Sequence, residues 1–256
     1  MDGEGSRNSY AVTDLSKSPA RIAGMFDAIA DRYDLLNHLL SAGIDRRWRK
    51  QAIAALALTG TERVLDLCTG TADLAIAART ASPPAARVLG VDFAGAMLQV
   101  GRAKLLDRHL TDRVTLVRGD AARIPVADAS VDAVTVAFGI RNVEDTQAAC
   151  REMHRVLKPG GRLAVLELAV PTTRGIRELY SWYSRHLLPR IGRFVSRHNA
   201  AYGYLPASIS AFASPAEFVT LLRHAGFVHI KASPLTFGSV VLYTANRGTW
   251  SQGLRI

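Results

Sequence analysis

"DLCTGTADLA" occupies Asp66–Ala75 and decides how the rest of this chain is read. It follows an apolar run and opens a helix-like stretch, the setting of a phosphate-cradling glycine loop. A dinucleotide site needs G-x-G-x-x-G there, because backbone must approach two phosphates closely. Here Cys68 and Ala72 stand where glycines would, and only Gly70 remains. A pyrophosphate is therefore disfavoured, and an NAD site with an eroded loop is the reading to be beaten.

Outward from the loop, apolar runs alternate with helical patterns. Arg63–Leu67, Arg87–Asp92, Val114–Arg118, Asp132–Ala137 and Arg162–Leu168 read as short strands. Asp73–Thr80, Gly95–Asp107 and Asp145–Leu157 read as amphipathic helices between them. The alternation predicts an α/β fold: a Rossmann-like, mostly parallel sheet with helices on both faces. "KPGG" (Lys158–Gly161) reads as a turn into the fifth strand. Ser214–Ala225 reads as a late helix, with Ser214 as cap and Pro215 at its first position. The runs Phe227–Ser233 and Ser239–Thr244 lie too close together for a crossover helix. They predict a C-terminal antiparallel hairpin at the edge of a seven-stranded sheet.

The resulting organisation is a disordered tail (1–17), an N-terminal helical lid (18–58) and a Rossmann-like core (59–170). A helical insert (171–213), a C-terminal helix and hairpin (214–247) and a short tail (248–256) follow.

Three carboxylates argue further against a pyrophosphate. Asp66 ends the first strand, Asp92 ends the second and Asp120 follows the third. Ligands of such sheets bind at the carboxyl ends of the strands. A ligand meeting three carboxylates there should be cationic, rich in hydroxyls, or both, and S-adenosylmethionine (SAM) is both. Its amino group suits Asp66. Its carboxylate suits the backbone N–H groups and Thr71 at the helix start. Its ribose diol suits Asp92, and its adenine amino group suits Asp120, with Phe93 and Met97 beside the ring.

Composition bounds the rest. The chain has 256 residues, 48% of them hydrophobic, enough for one sizeable domain with its own core. Cys68 and Cys150 are the only cysteines and match no disulfide or metal pattern, which points to a reducing, cytoplasmic setting and calls for no metal. No apolar stretch is long enough to span a bilayer, and the polar start "MDGEGSRNSYAVTD" is not a secretory signal. The net charge of +10 arises wholly after residue 150, where 14 Lys/Arg face 4 Asp/Glu. Either a solvated surface or an anionic partner, lipid head groups or nucleic acid, accounts for that excess.

Five segments carry a resemblance: "MFDAIADRYDLLNHLLSAGIDRRWRK", "VLDLCTGTADLA", "AFGIRNVED", "HRVLKPGGRLAVLEL" and "HLLPRIG". Together they resemble the ubiquinone/menaquinone biosynthesis C-methyltransferase family, which includes demethylmenaquinone methyltransferases, from about Pro19 to Asn246. The resemblance implies a class I methyltransferase fold, SAM as donor, and methylation of a ring carbon on a polyprenylated quinol. The reaction most in keeping with it converts demethylmenaquinol to menaquinol. By motif, Thr71, Asp92, Asp120 and Ala121 fall on family SAM-contact positions. So does Ala137, where many relatives have Ser. Tyr33, Arg141 and Asn142 fall on positions lining the active site. Gly203, Phe237 and Tyr243 depart from the family pattern, all three on what reads as the substrate side, so the ring is less defined than the cofactor.

The implied chemistry assigns roles. A hydroquinone hydroxyl titrates near a phenol's pKa of about 10, and phenolate character makes the ring carbon a nucleophile. Arg141, permanently cationic and directly after the fourth strand, is the candidate stabiliser of that oxyanion. The alternative for it is a surface ion pair with Glu144 or Asp145. The base is a water held by Asn142 and Tyr33, or a histidine such as His186. Tyr33 reads either as a lid over the SAM carboxylate or as packing beside Phe26. Cys68 reads as merely small.

Between Arg174 and Arg197 six arginines are interleaved with Leu179, Tyr180, Trp182, Tyr183, Leu187, Leu188, Ile191, Phe194 and Val195. This stripe either packs on the core or lines the entry of an isoprenoid tail, with the arginines on anionic head groups at about 1 kcal/mol each. Peripheral membrane association follows from the second reading. "AFGIRN" lacks the Asn/Asp-Pro-Pro-aromatic pattern of exocyclic-amine methylation, and no catalytic cysteine pair is apparent, so no nucleic-acid partner is expected. Methylation of another phenolic or polyketide-like metabolite, and a SAM-binding scaffold, stay open. So does a homodimer.

Overall fold

The computed structural model describes residues 16–182 and 199–249. Three helices come first: α1 (Pro19–Asp27), α2 (Ala30–Leu40) and α3 (Asp45–Ala55). The alternating core follows as β1 (Arg63–Leu67), α4 (Asp73–Arg79), β2 (Arg87–Asp92), α5 (Gly95–Asp107), β3 (Val114–Arg118), β4 (Val131–Ala137), α6 (Thr146–Val156) and β5 (Leu157–Leu168). Then come α7 (Arg174–Trp182), α8 (Asn199–Ala211), α9 (Pro215–His224), β6 (Phe227–Leu235) and β7 (Val240–Arg247).

The seven strands run in the order β3-β2-β1-β4-β5-β7-β6. The first five pair in parallel, and β7 pairs antiparallel with both β5 and β6. The hairpin is therefore at the edge, with its second strand inserted innermost. The period of two in the strands separates two cores. Val64, Val88 and Ala133 face α3, α4 and α5. Leu65, Leu67, Val134 and Val136 face α6 and α9.

The bounds of β1, β2, β3 and α5 match the expected ones; β6 and β7 run on to Leu235 and Arg247, and β5 differs most. β5 starts at Leu157, so "KPGG" lies inside the strand as an irregularity rather than before it. Gly160 supplies the positive φ (78°), and a Cβ at Gly161 would meet the Lys158 carbonyl oxygen at 2.8 Å. Ser214 caps α9 in a reciprocal capping box with Glu217, and Pro215 opens the helix. Among the described residues no single helix is long and apolar enough to cross a membrane. His186 and most of the basic stripe fall outside the described residues, as do the side chains of Leu179, Tyr180 and Tyr202.

Candidate active site

The loop after β1 keeps the backbone of a glycine loop with only one of its glycines. Cys68 (φ 54°), Gly70 (φ 54°) and Ala72 (φ 68°) all take the left-handed conformation. A residue with a Cβ loses about 1–2 kcal/mol there, so two of the three positions carry strain, as functional loops often do. Gly139, in "FGIRN", faces the first of them. A Cβ on Gly139 would stand 2.3 Å from the Cys68 Cβ, which leaves room only for glycine. Burial pushes the Cys68 thiol well up, so it is an unreactive small residue.

The carboxylates gather where the sequence places them, but each is partly committed. Asp66 is 1% exposed; it accepts from the Thr69 hydroxyl at 2.5 Å and the Thr135 hydroxyl at 2.8 Å. Burial raises its pKa to about 6, against the lowering by those two hydroxyls. Asp92 accepts the Gly70 amide at 2.8 Å and the Ala94 amide at 2.9 Å, and so pins the loop to the start of α5. Burial raises its pKa too, and the backbone donors oppose that. Asp120 is exposed, with one oxygen on the Ala122 amide at 2.9 Å, and Ala121 is buried beside it. Met97 is buried, its methyl 3.3 Å from where a Gly70 Cβ would be, and Phe93 is half-buried.

Thr71 differs from its expected role. Its hydroxyl donates to Asp34 at 2.5 Å rather than standing free for a ligand carboxylate. Asp34 also binds Lys104 at 2.7 Å, and Lys104 reaches the Thr71 oxygen at 3.2 Å and pairs with Asp73. Arg49 completes the network through Asp45 and, at 3.4 Å, Asp73. Asp27 accepts the Ala96 amide at 2.8 Å, at the N-terminus of α5. The two aspartates of the Phe-Asp…Tyr-Asp segment thus clamp the N-terminal helices onto the loop and onto α5. None of Asp27, Asp34, Arg49, Thr69, Lys104 or Thr135 was assigned a role from sequence. The i,i+7 spacing of Asp27 and Asp34 on adjoining helices is the signal that could have found the first two.

Two chambers adjoin this loop. A small one of about 30 Å³ is lined by Asp66, Cys68, Gly70, Thr71, Asp73 and Ala137, among others. A larger one of about 290 Å³ is walled mainly by apolar side chains of α1, α2, α3 and α8, with Arg141, Leu168 and Thr236 completing it. Tyr33, Arg49 and Phe138 line both. Trp48 Nε1 donates to Thr236 at 2.8 Å and ties α3 to the β6–β7 turn across the larger chamber.

Arg141 lines that chamber, but its partner is neither Glu144 nor Asp145. It is Glu167 on β5, 1% exposed, which binds Arg141 Nη1 at 2.8 Å and the Arg141 amide at 3.2 Å. Nη1 also donates to the Phe138 carbonyl. Nε has no partner, and neither does the Asn142 side-chain oxygen. Glu167 was missed because its run, "LAVLEL", reads as plain strand. A charge inside a buried strand is the overlooked signal. Tyr33 packs edge-on to Phe26, with centroids 6.0 Å apart, and also lines both chambers. Burial raises its pKa, which keeps the hydroxyl neutral. Lys17, placed in the tail from sequence, sits close enough to Arg141 and Glu167 to feel both charges, and burial lowers its pKa. Tyr243 is not on the substrate side: it is buried against Phe218 at 4.8 Å in the core. Phe237 is 78% exposed at a left-handed turn between the chamber residues Thr236 and Ser239.

The strand order, with acidic residues at three neighbouring strand tips and a helical cover, defines a class I SAM-dependent methyltransferase. A model of the ubiE/COQ5 methyltransferase family matches residues 14–247, and the chain belongs to that family. It is 49% identical over 223 residues to the ubiquinone/menaquinone biosynthesis C-methyltransferase UbiE of Syntrophotalea carbinolica, covering 87% of this chain and 92% of that one. It is 40% identical over 231 residues to the demethylmenaquinone methyltransferase of Bacteroides fragilis, covering 90% and 94%. Among solved structures, the [4+2]-cyclase SpnF superposes with a TM-score of 0.68 at 17% identity, covering 93% of this chain and 98% of that one. YcgJ of Bacillus subtilis superposes with a TM-score of 0.56 at 17% identity, covering 77% and 96%. These two bear on the fold alone. Membership makes the chain a methyltransferase and implies SAM. The chemistry of the residues fits that ligand: Asp66, Asp92 and Asp120 offer carboxylates that its cationic and hydroxyl-bearing parts would need, and Lys104 and Arg49 lie by Thr71 and Asp73.

Proposed function

We propose that this enzyme methylates a ring carbon of a polyprenylated quinol, converting demethylmenaquinol to menaquinol. The observation that carries the reading is the larger chamber: apolar, set against the donor loop, with Arg141 in its wall. Bound SAM supplies the electrophilic methyl. Asp66 and Asp92 hold its amino group and ribose, and Asp120 with Ala121 holds its adenine. Glu167 fixes the Arg141 fork so that its remaining N–H groups meet the quinol oxygen and favour the phenolate form. Tyr33 and Phe138 separate donor from acceptor and exclude water.

Peripheral membrane contact belongs to the same proposal, with a change of surface. Leu35, Leu39 and Ile44 are exposed on or just after α2, and Ile44 also lines the chamber. The exposed Arg46, Arg47 and Lys50 follow directly on α3, and Phe237 stands at the same rim. Apolar side chains flanked by cations suit an anionic bilayer from which a lipophilic substrate enters.

One experiment tests both parts. Reduced demethylmenaquinone and its benzoquinol counterpart are supplied with methyl-labelled SAM in anionic or neutral vesicles. Label is expected on carbon of the naphthoquinol, faster on anionic vesicles. Label on neither quinol would refute the substrate, and equal rates on both vesicles would refute the membrane contact.

A pH dependence of donor binding follows from Asp66. Its pKa of about 6 lies above the ordinary aspartate value of 3.8, so ligand-free stability falls as pH rises between them. A cationic donor favours the ionised form, so its binding expels a proton below about pH 6. SAM affinity should therefore weaken on acidification through pH 6, by up to about tenfold per unit. Calorimetric titration from pH 5 to 8 measures it, and Asp66→Asn should abolish the slope.

A further inference from the structure

Tyr204, on α8, is 3% exposed and lines the larger chamber. Its hydroxyl is buried and has no hydrogen-bond partner. An unpaired buried hydroxyl costs stability that phenylalanine, with the same ring, would not. The ring is held in place, with the Arg21 guanidinium 5.8 Å above its centroid. α8 packs on the short turn Ile140–Asn142, which carries Arg141. Arg141 lines the same chamber, and its Nε is likewise buried without a partner. Two residues that line a mostly apolar chamber thus each carry an unsatisfied buried polar atom. Burial raises the Tyr204 pKa, so its hydroxyl stays protonated and can both donate and accept.

We infer that Tyr204 Oη and Arg141 Nε bind an oxygen of the acceptor ring, with Tyr204 selecting aromatic hydroxyls over bare arenes. The inference rests on the proposed quinol substrate, and it adds a substrate-binding residue from α8 to the site. Arg141 can only donate. Tyr204 can take the proton of a neutral quinol hydroxyl in a hydrogen bond, so the pair accommodates an acceptor that carries its own donor.

Tyr204→Phe in the full-length protein tests this. The expected result is a KM for short-tailed demethylmenaquinol raised about five- to tenfold, SAM affinity unchanged by calorimetry, and a melting temperature equal to or above that of the parent. The stability readout matters, because a merely structural tyrosine would lower the melting temperature and leave KM alone; that result would overturn the inference. A second arm needs no turnover: calorimetric titration with 1-naphthol and with naphthalene. The parent should prefer 1-naphthol, and the variant should lose at least a threefold part of that preference. An unaltered KM together with an unaltered preference would overturn the inference even if the quinol is methylated. A parent that leaves the quinol unlabelled, but whose naphthol preference disappears in the variant, would refute the proposed function and support the hydroxyl site.

Discussion

Glu167→Ala is expected to destabilise the protein by about 3–5 kcal/mol and to lower turnover by at least about a hundredfold. The carboxylate is 1% exposed and accepts from Arg141 Nη1 at 2.8 Å, the Arg141 amide at 3.2 Å and the Leu168 amide at 2.8 Å. Removing it leaves a guanidinium that cannot lose its proton, 5% exposed and unpaired. Glu167→Gln keeps the shape and one acceptor oxygen, so it can serve the Leu168 amide or the Arg141 amide but not both; it should lose less stability than Glu167→Ala, while still freeing Arg141 from its ion pair. Denaturant unfolding of Glu167→Ala, Arg141→Ala and the double variant separates the terms. The double variant should be less destabilised than the sum of the singles, because each single strands the other charge. A Glu167→Ala protein within 1 kcal/mol of the parent, or additive singles, would remove the pair from this account.

The second large effect is on the donor. Asp92→Ala should weaken SAM binding by about a hundredfold, the loss of about two charge-assisted hydrogen bonds to a ribose diol. The residue acts twice over: besides facing the ligand, it pins Gly70 and Ala94 through their amides at 2.8 and 2.9 Å. Asp92→Asn retains one acceptor and should fall between the two. Titration calorimetry reads the difference directly, and an Asp92→Ala protein that binds SAM with parental affinity would end the ribose assignment.

Both residues show what the sequence discloses and what it conceals. Asp92 was legible because it ends an apolar run one strand after Asp66, and the position of a strand tip follows from periodicity. The mostly parallel sheet, its antiparallel hairpin and the capped α9 were legible for the same reason: alternation and capping are local patterns, whereas the order of the strands is not. Glu167 was not, because a pairing across 26 residues leaves no local mark, and its neighbours alone suggest a buried strand. Asp34 and Lys104 are further cases. They meet at Thr71 only after α2, α4 and α5 have packed, and that contact redirects a hydroxyl that looked free for ligand. Tyr243 was misjudged through its chain position near Phe237. Along a strand, alternation sends neighbours to opposite faces, and Tyr243 turned to the core.

The partition formed by Tyr33, Arg49 and Phe138 makes the two chambers a single thermodynamic unit. Whatever arrangement of these three side chains one occupant stabilises is the wall that the other occupant meets. Reciprocity then requires that acceptor and donor alter each other's affinity by the same factor. The N-terminal helices, which carry two of the three, are thereby part of that coupling, so they do more than cover the sheet.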